Sequence, residues 1–155
     1  MALTRSAKKT SNNRTGAFGE QSTVDYLQAR GYEILDRNWR IREGEVDIVA
    51  LSPHGVFSFI EVKTRTSVAF GHPFEAINRE KAHRMQRLAL AWLATHGCLG
   101  CEYAIDRDKA HRMQRLALAW LATHGCLGCD YSIDVSAVLI AADGNFTIEF
   151  RAGVL

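Results

Sequence analysis

The sequence predicts an α/β domain built on a mixed β-sheet flanked by helices. Three observations lead there. Apolar residues recur at helical spacing before residue 31 and again beyond residue 80. The segments 32–40, 44–52 and 56–64 between them alternate or run apolar as strands do. The resulting order of helix, three strands, helix and strand mixes the two element types along the chain.

The first helix is read as amphipathic from Phe18, Val24, Leu27 and Ala29, with Tyr26, and Gly31 is its stop. "YEILDRNWR" supplies a first strand and "GEVDIVALS" a second. "PHG" turns the chain, and "VFSFIEVKT" returns antiparallel to the second strand. "FGHPFEAI" opens the next helix, with Pro73 suited to its first turn. A last hairpin turns at Asp143-Gly144-Asn145 and ends in "FTIEFR".

Between these lies a tandem duplication. Residues 81–108 and 109–136 share 24 of 28 positions. A solenoid needs about three or more repeats, so two near-identical copies read as a duplicated helix–strand unit inside one domain. Met85, Leu88, Ala89, Trp92 and Leu93 form an apolar stripe in the first copy. Met113, Leu116, Ala117, Trp120 and Leu121 repeat it in the second. Each copy also carries "CLGC", as Cys98 with Cys101 and Cys126 with Cys129. Two such pairs ordinarily suggest zinc, but both descend from one duplication and count as one observation, so we do not read a zinc site.

Composition narrows the function classes. The 155 residues are 47% hydrophobic, enough for one domain with a core, and the formal net charge of +2 does not mark a strongly basic nucleic-acid binder. Basic residues are instead concentrated in residues 1–16, where Arg5, Lys8, Lys9 and Arg14 occur with no acid. We expect a disordered basic arm there, either a solvated tail or a nucleic-acid contact. No apolar run is long enough to span a membrane, and the N-terminus lacks the apolar stretch of a secretory signal. A cytoplasmic location with reduced thiols is the expectation.

Chemistry concentrates on the second and third strands. Glu61 and Lys63 lie two apart in "FIEVKTR", so they share a face of an otherwise apolar strand. Asp47 is the charged residue of "VDIVA". A hairpin centred near residue 54 places position 47 opposite about 61. Two facing carboxylates repel unless a cation lies between them, and an all-oxygen set with open positions suits Mg²⁺ or Mn²⁺. A lysine beside such a cation suits phosphodiester hydrolysis.

At this point the sequence resembles a known family. Asp, then Glu-x-Lys, on a β-hairpin is the signature of the PD-(D/E)xK nucleases, which have the restriction-endonuclease-like fold. "GAFGEQSTVDYLQARGYEILDRNWR", "GEVDIVA", "FIEVKTR" and "FGHPFEAINREK" together resemble the YraN-like family of uncharacterised bacterial proteins, distantly similar to archaeal Holliday-junction resolvases. The resemblance implies one nuclease-like domain over residues 17–155. It makes Asp47, Glu61 and Lys63 the catalytic core and Glu20 a helical acid able to join the metal. It gives Glu45, Arg65 and Glu75 supporting places, and implies DNA as partner, branched DNA included. Resolvases act as dimers, which makes a homodimer one expected assembly. The superfamily's proline before the aspartate is replaced here by Val46. The expectation is a Mg²⁺- or Mn²⁺-dependent endonuclease; the alternative is a non-catalytic nucleic-acid-binding module of the same fold.

Overall fold

The computed structural model describes residues 4–67, 74, 78–96 and 130–154, with side chains described from residue 13 onward. The elements are α1 (Thr4–Gln28), β1 (Glu33–Ile41), β2 (Gly44–Leu51), β3 (Phe57–Arg65), α2 (Arg79–Thr95), β4 (Tyr131–Ile140) and β5 (Phe146–Arg151). Five strands form one sheet in the order β1-β2-β3-β4-β5. Pairing is antiparallel except between β3 and β4, which run parallel with Phe57 beside Tyr131. This is the mixed α/β sheet expected. The parallel pair follows from α2, because a chain that leaves β3 and crosses over a helix returns in the same direction.

The two helices cover opposite faces. On one, Met85, Leu88, Ala89, Trp92 and Leu93 of α2 pack with Val46, Val49, Phe59 and Ile133. On the other, Val24 and Leu27 of α1 pack with Ile48, Ala50, Ile60, Val62 and Val138. The stripe read from the first repeat copy is thus the buried face of α2, and Trp92 is a core residue at 3% exposure. Its indole N–H donates to Asp36 Oδ2 at 3.1 Å, so its polar edge is satisfied.

The end of α1 is as expected. Gly31 has φ +81°, a conformation open to glycine, and the Tyr32 N–H reaches back to the Leu27 carbonyl at 3.1 Å. Its start is a correction. Residues 4–16, expected to be disordered, belong to the helix. Serine, threonine and asparagine are weak helix formers, but extending a helix whose C-terminal half is packed on the sheet avoids the cost of nucleation. The side chains of Arg5, Lys8 and Lys9 lie outside the described ones; Arg14 is exposed. None of the helices among the described residues is long and apolar enough to cross a membrane.

One close approach sets the position of α1. A Cβ on Gly19 would lie 1.8 Å from Thr64 Oγ1 and 3.0 Å from Thr64 Cβ. Only glycine lets the helix come this near β3, and the next residue is Glu20.

The duplication is divided between elements. α2 comes from the first copy and most of β4 from the second, so 35 residues separate Thr95 from Tyr131. "EYAID" of the first copy, the helix of the second with Trp120 and His124, and all four cysteines lie outside the described residues, as do Pro73 and Glu75. Helix-to-strand connections in such units usually have only about 2–6 residues. Removing residues 81–108 joins Glu80 to Lys109, restores the same helix sequence and leaves 7 residues before Tyr131. Shortening the connection fivefold lowers its closure cost by ~1.4 kcal/mol. The shortened chain is therefore expected to unfold at a temperature no lower than the full chain and to elute as a narrower species in size exclusion. An unfolded product would give the extra copy a structural role.

Candidate active site

The β2–β3 hairpin has the register that the turn dictated. Ser52 accepts the Gly55 N–H through its carbonyl and the Val56 N–H through its hydroxyl. From there Leu51 pairs with Phe57 and Ile48 with Ile60. The pairing ends at Ile48, one step before Asp47 would face Glu61. Instead of a continuing backbone bond, the Val62 N–H donates to Asp47 Oδ2 at 2.7 Å. The strands fork here, and the Asp47 carboxylate bridges the opening.

The other side of β2 is irregular at the same point. Val46 packs in the α2 core and Ile48 in the α1 core, although residues two apart in a regular strand share a face. β2 therefore turns over at Asp47. Across from it, Asn38 lies between the Arg37–Ile48 and Trp39–Val46 pairs with φ +52°. Asparagine tolerates this conformation better than most residues. Its side-chain amide donates to Glu20 Oε2 at 3.0 Å, which brings the acid of α1 to the fork.

Glu61 is 8% exposed and faces α2. Its Oε1 accepts from Lys63 Nζ and also from Lys81 Nζ, the latter at 2.5 Å. Lys81 was not identified from the sequence. A signal was present: Asn78 caps α2 by accepting the Lys81 N–H at 2.8 Å, so Lys81 stands in the first turn, where the helix dipole disfavours a cation. An ammonium kept there needs a counter-charge, and Glu61 supplies it.

These contacts divide the two carboxylates. Burial raises the Glu61 pKa, but Lys63 and Lys81 outweigh it and hold the group below its ordinary value. Asp47 is pushed up to about 6, first by burial and then by the Glu61 charge. Glu20 adds to the rise, while the Val62 N–H and Lys63 oppose it. Lys63 is raised: burial works against its charge, but Glu61 more than offsets this. Lys81 is lowered, chiefly by burial.

Asp47, Glu61, Lys63 and Glu20 therefore act on one another at the fork. Glu45 does not join them: it is exposed and paired with Arg40 Nε at 2.6 Å. Arg65 is exposed at the end of β3, and Glu75 lies outside the described residues. A further buried acid, Asp134, accepts the Gly153 N–H at 2.9 Å and ties the C-terminal segment to β4.

The fork suits a divalent cation by its donor chemistry. Asp47 is a half-buried acid whose charge is opposed by two neighbouring carboxylates, and all the donors are oxygens. Among the described residues no group of three or more acids, histidines or cysteines is gathered closely enough to form a cage. Mg²⁺ does not require one, since it commonly takes one or two carboxylates and completes its shell with water and phosphate.

A model of the uncharacterised protein family UPF0102 matches residues 19–102. The chain belongs to this family. The match contains α1 from Gly19, the fork and α2, and it ends before the second repeat copy begins. The chain is 49% identical over 83 residues to a UPF0102 protein of Trichlorobacter lovleyi, an alignment covering 54% of this chain and 65% of the relative. It is 51% identical over 81 residues to one of Beutenbergia cavernae, covering 52% and 68%. With one of Acidothermus cellulolyticus it shares 46% over 96 residues, covering 62% and 69%. Among solved structures, Pyrococcus furiosus SfsA in complex with Ca²⁺ aligns over 94% of this chain and 64% of that one, with a TM-score of 0.32 and 14% identity.

The raised Asp47 pKa has a measurable consequence. Between pH 4 and 6 the folded protein holds a proton on Asp47 that the unfolded chain, with its lower pKa, releases. Stability from this group is therefore present below about pH 4 and is lost as pH rises through about 6. Glu61 works in the opposite sense, losing its contribution as pH falls. In EDTA, Asp47→Asn is expected to stabilise the protein at pH 7 by about 3 kcal/mol, with the gain shrinking to near zero at pH 4. Denaturant unfolding of both forms across this range measures it; parallel pH curves would refute the assignment.

Proposed function

We propose that this chain is a metal-dependent endonuclease that hydrolyses DNA phosphodiester bonds, with Asp47, Glu61 and Lys63 at its centre. The observation that carries this reading is the fork itself. Two carboxylates from neighbouring strands and a lysine on the face of one of them converge where the sheet opens, and the lysine that acts on Asp47 is hydrogen-bonded to Glu61. A purely structural ion pair would not need the second acid, whose presence costs stability above about pH 6.

Asp47 and Glu61 are the residues that would hold Mg²⁺ or Mn²⁺, with Glu20 adding negative charge from the α1 side. When bound, the ion would polarise the phosphate and make a coordinated water more acidic. Lys63 is a half-buried ammonium at the same place. Its part is to stabilise the negative charge that builds on the phosphate oxygens during displacement, a role realised in the transition state rather than in binding. Arg5, Lys8, Lys9 and Arg14 all lie in the N-terminal half of α1, and contacts from them to the DNA backbone would position the substrate without reading sequence. The resemblance of the sequence motifs to junction resolvases makes branched DNA the substrate class to test first.

A second reading, a nucleic-acid-binding module without cleavage, is favoured by one observation: Glu61 already has two ammonium partners. Cleavage assays separate the two. Purified protein is incubated with duplex, flap, fork and four-way-junction DNA in Mg²⁺, Mn²⁺ or EDTA. The nuclease reading expects metal-dependent cutting of at least one substrate. It also expects Lys63→Met to lower the rate by about 100-fold or more while leaving affinity within a few-fold, the pattern of a group that acts in the transition state. Binding without cutting on every substrate supports the module. Cutting by Lys63→Met at the wild-type rate overturns the assignment of the site.

A further inference from the structure

Two lysines on one carboxylate oxygen is more positive charge than Glu61 needs. Lys63 and Lys81 both donate to Oε1, and Glu61 is the acid they share. In the nuclease reading, on which this inference rests, Lys63 must serve a phosphate. If Lys63 were the sole partner of Oε1, each move toward the phosphate would leave that buried oxygen without a donor even where a cation shares the carboxylate, which is unfavourable. Lys81 removes that difficulty. We propose that Lys81 is a positioning residue: it holds Oε1 of Glu61 and orients the carboxylate so that Lys63 is free to leave it for the scissile phosphate.

The placement of Lys81 fits this division of labour. Its backbone is fixed by the Asn78 cap. Ala82 and Met85, just beyond it, are buried in the α2 core, so the helix end cannot drift from the sheet. Its side chain is 18% exposed, against 25% for Lys63, which makes Lys63 the more open of the two toward an incoming ligand. The helix N-terminus also supplies positive potential of its own near Glu61. Lys63 reaches Glu61 from β3, two residues along the same strand, rather than from a helix end. Lys81 is thus built as the standing partner, and Lys63 as the mobile one.

The alternative is a static ion pair that only fastens α2 to β3. A double-mutant cycle distinguishes them without requiring catalysis. Affinity for a non-cleavable phosphorothioate junction is measured in Ca²⁺ for wild type, Lys63→Met, Lys81→Met and the double variant, with thermal unfolding of each as a check on folding. If Lys81 acts by releasing Lys63, its replacement confines Lys63 to Glu61, and the two single variants lose affinity by similar, modest factors of about 3-fold. The double variant then loses little more than either, because coupled residues are non-additive. Lys81→Arg should restore affinity and, where the wild type cuts, most of the rate. Additive losses, or a Lys81→Met loss confined to thermal stability, would overturn the proposal. Should Lys81→Met fail to fold, the same cycle is run with Lys81→Gln. Wild-type protein that binds the junction but never cuts refutes the nuclease reading alone, and the cycle still decides the role of Lys81. Absence of any binding by the wild type refutes both.

Discussion

The hydrogen bond from the Val62 N–H to Asp47 Oδ2 marks the point on which the site depends. It replaces a strand-to-strand bond with a strand-to-side-chain bond, so β2 and β3 can separate without leaving the Val62 donor unpaired in a buried position. On one side of it β2 and β3 are an ordinary hairpin with both faces covered. On the other, the strands part and the polar groups of four elements meet: Asp47 from β2, Glu61 and Lys63 from β3, Glu20 from α1 and Lys81 from α2. The cores on the two faces serve this meeting. Gly19 lets α1 approach Thr64, which places Glu20, and the apolar stripe of α2 fixes the helix end that carries Lys81.

The energetics of the fork are those of charges that do not balance locally. Glu61 has two cations at one oxygen, whereas Asp47 has a backbone donor, two acids for neighbours and only the charge of Lys63, which bonds to Glu61, to oppose them. A fully structural arrangement would distribute the lysines between the acids. The imbalance costs stability at neutral pH, and such costs are expected where a site is shaped for a ligand rather than for the folded state alone.

Much of this was legible in the sequence because it depends on short-range rules. A turn at residues 53–55 and a period of two along a strand suffice to bring 47 opposite 61 and to put 63 on the face of 61. The helical stripe through Met85 and Trp92 likewise follows from spacing alone. What was not legible depends on tertiary docking. Lys81 reaches Glu61 only because α2 lies over that face of the sheet, and its unfavourable place at a helix N-terminus hinted at a partner without naming it. The turning over of β2 at Asp47, with Asn38 in a left-handed conformation opposite, breaks the period that sequence reading relies on. Glu45 shows the reverse failure: it belongs to a recognisable block, yet β2 directs it outward to Arg40. The helical start of α1 was missed because local propensity argued for disorder where a packed neighbouring turn can extend the helix.

The central claim is that the fork is a divalent-cation site built by Asp47 and Glu61. A crystal of the protein grown with Mn²⁺ tests it most directly, through the anomalous scattering of the ion. The account predicts a single strong peak at about 2–2.5 Å from carboxylate oxygens of both Asp47 and Glu61, with Lys81 still against Glu61. A map without a peak at the fork, with Lys63 and Lys81 both remaining on Glu61 in saturating Mn²⁺, would contradict it.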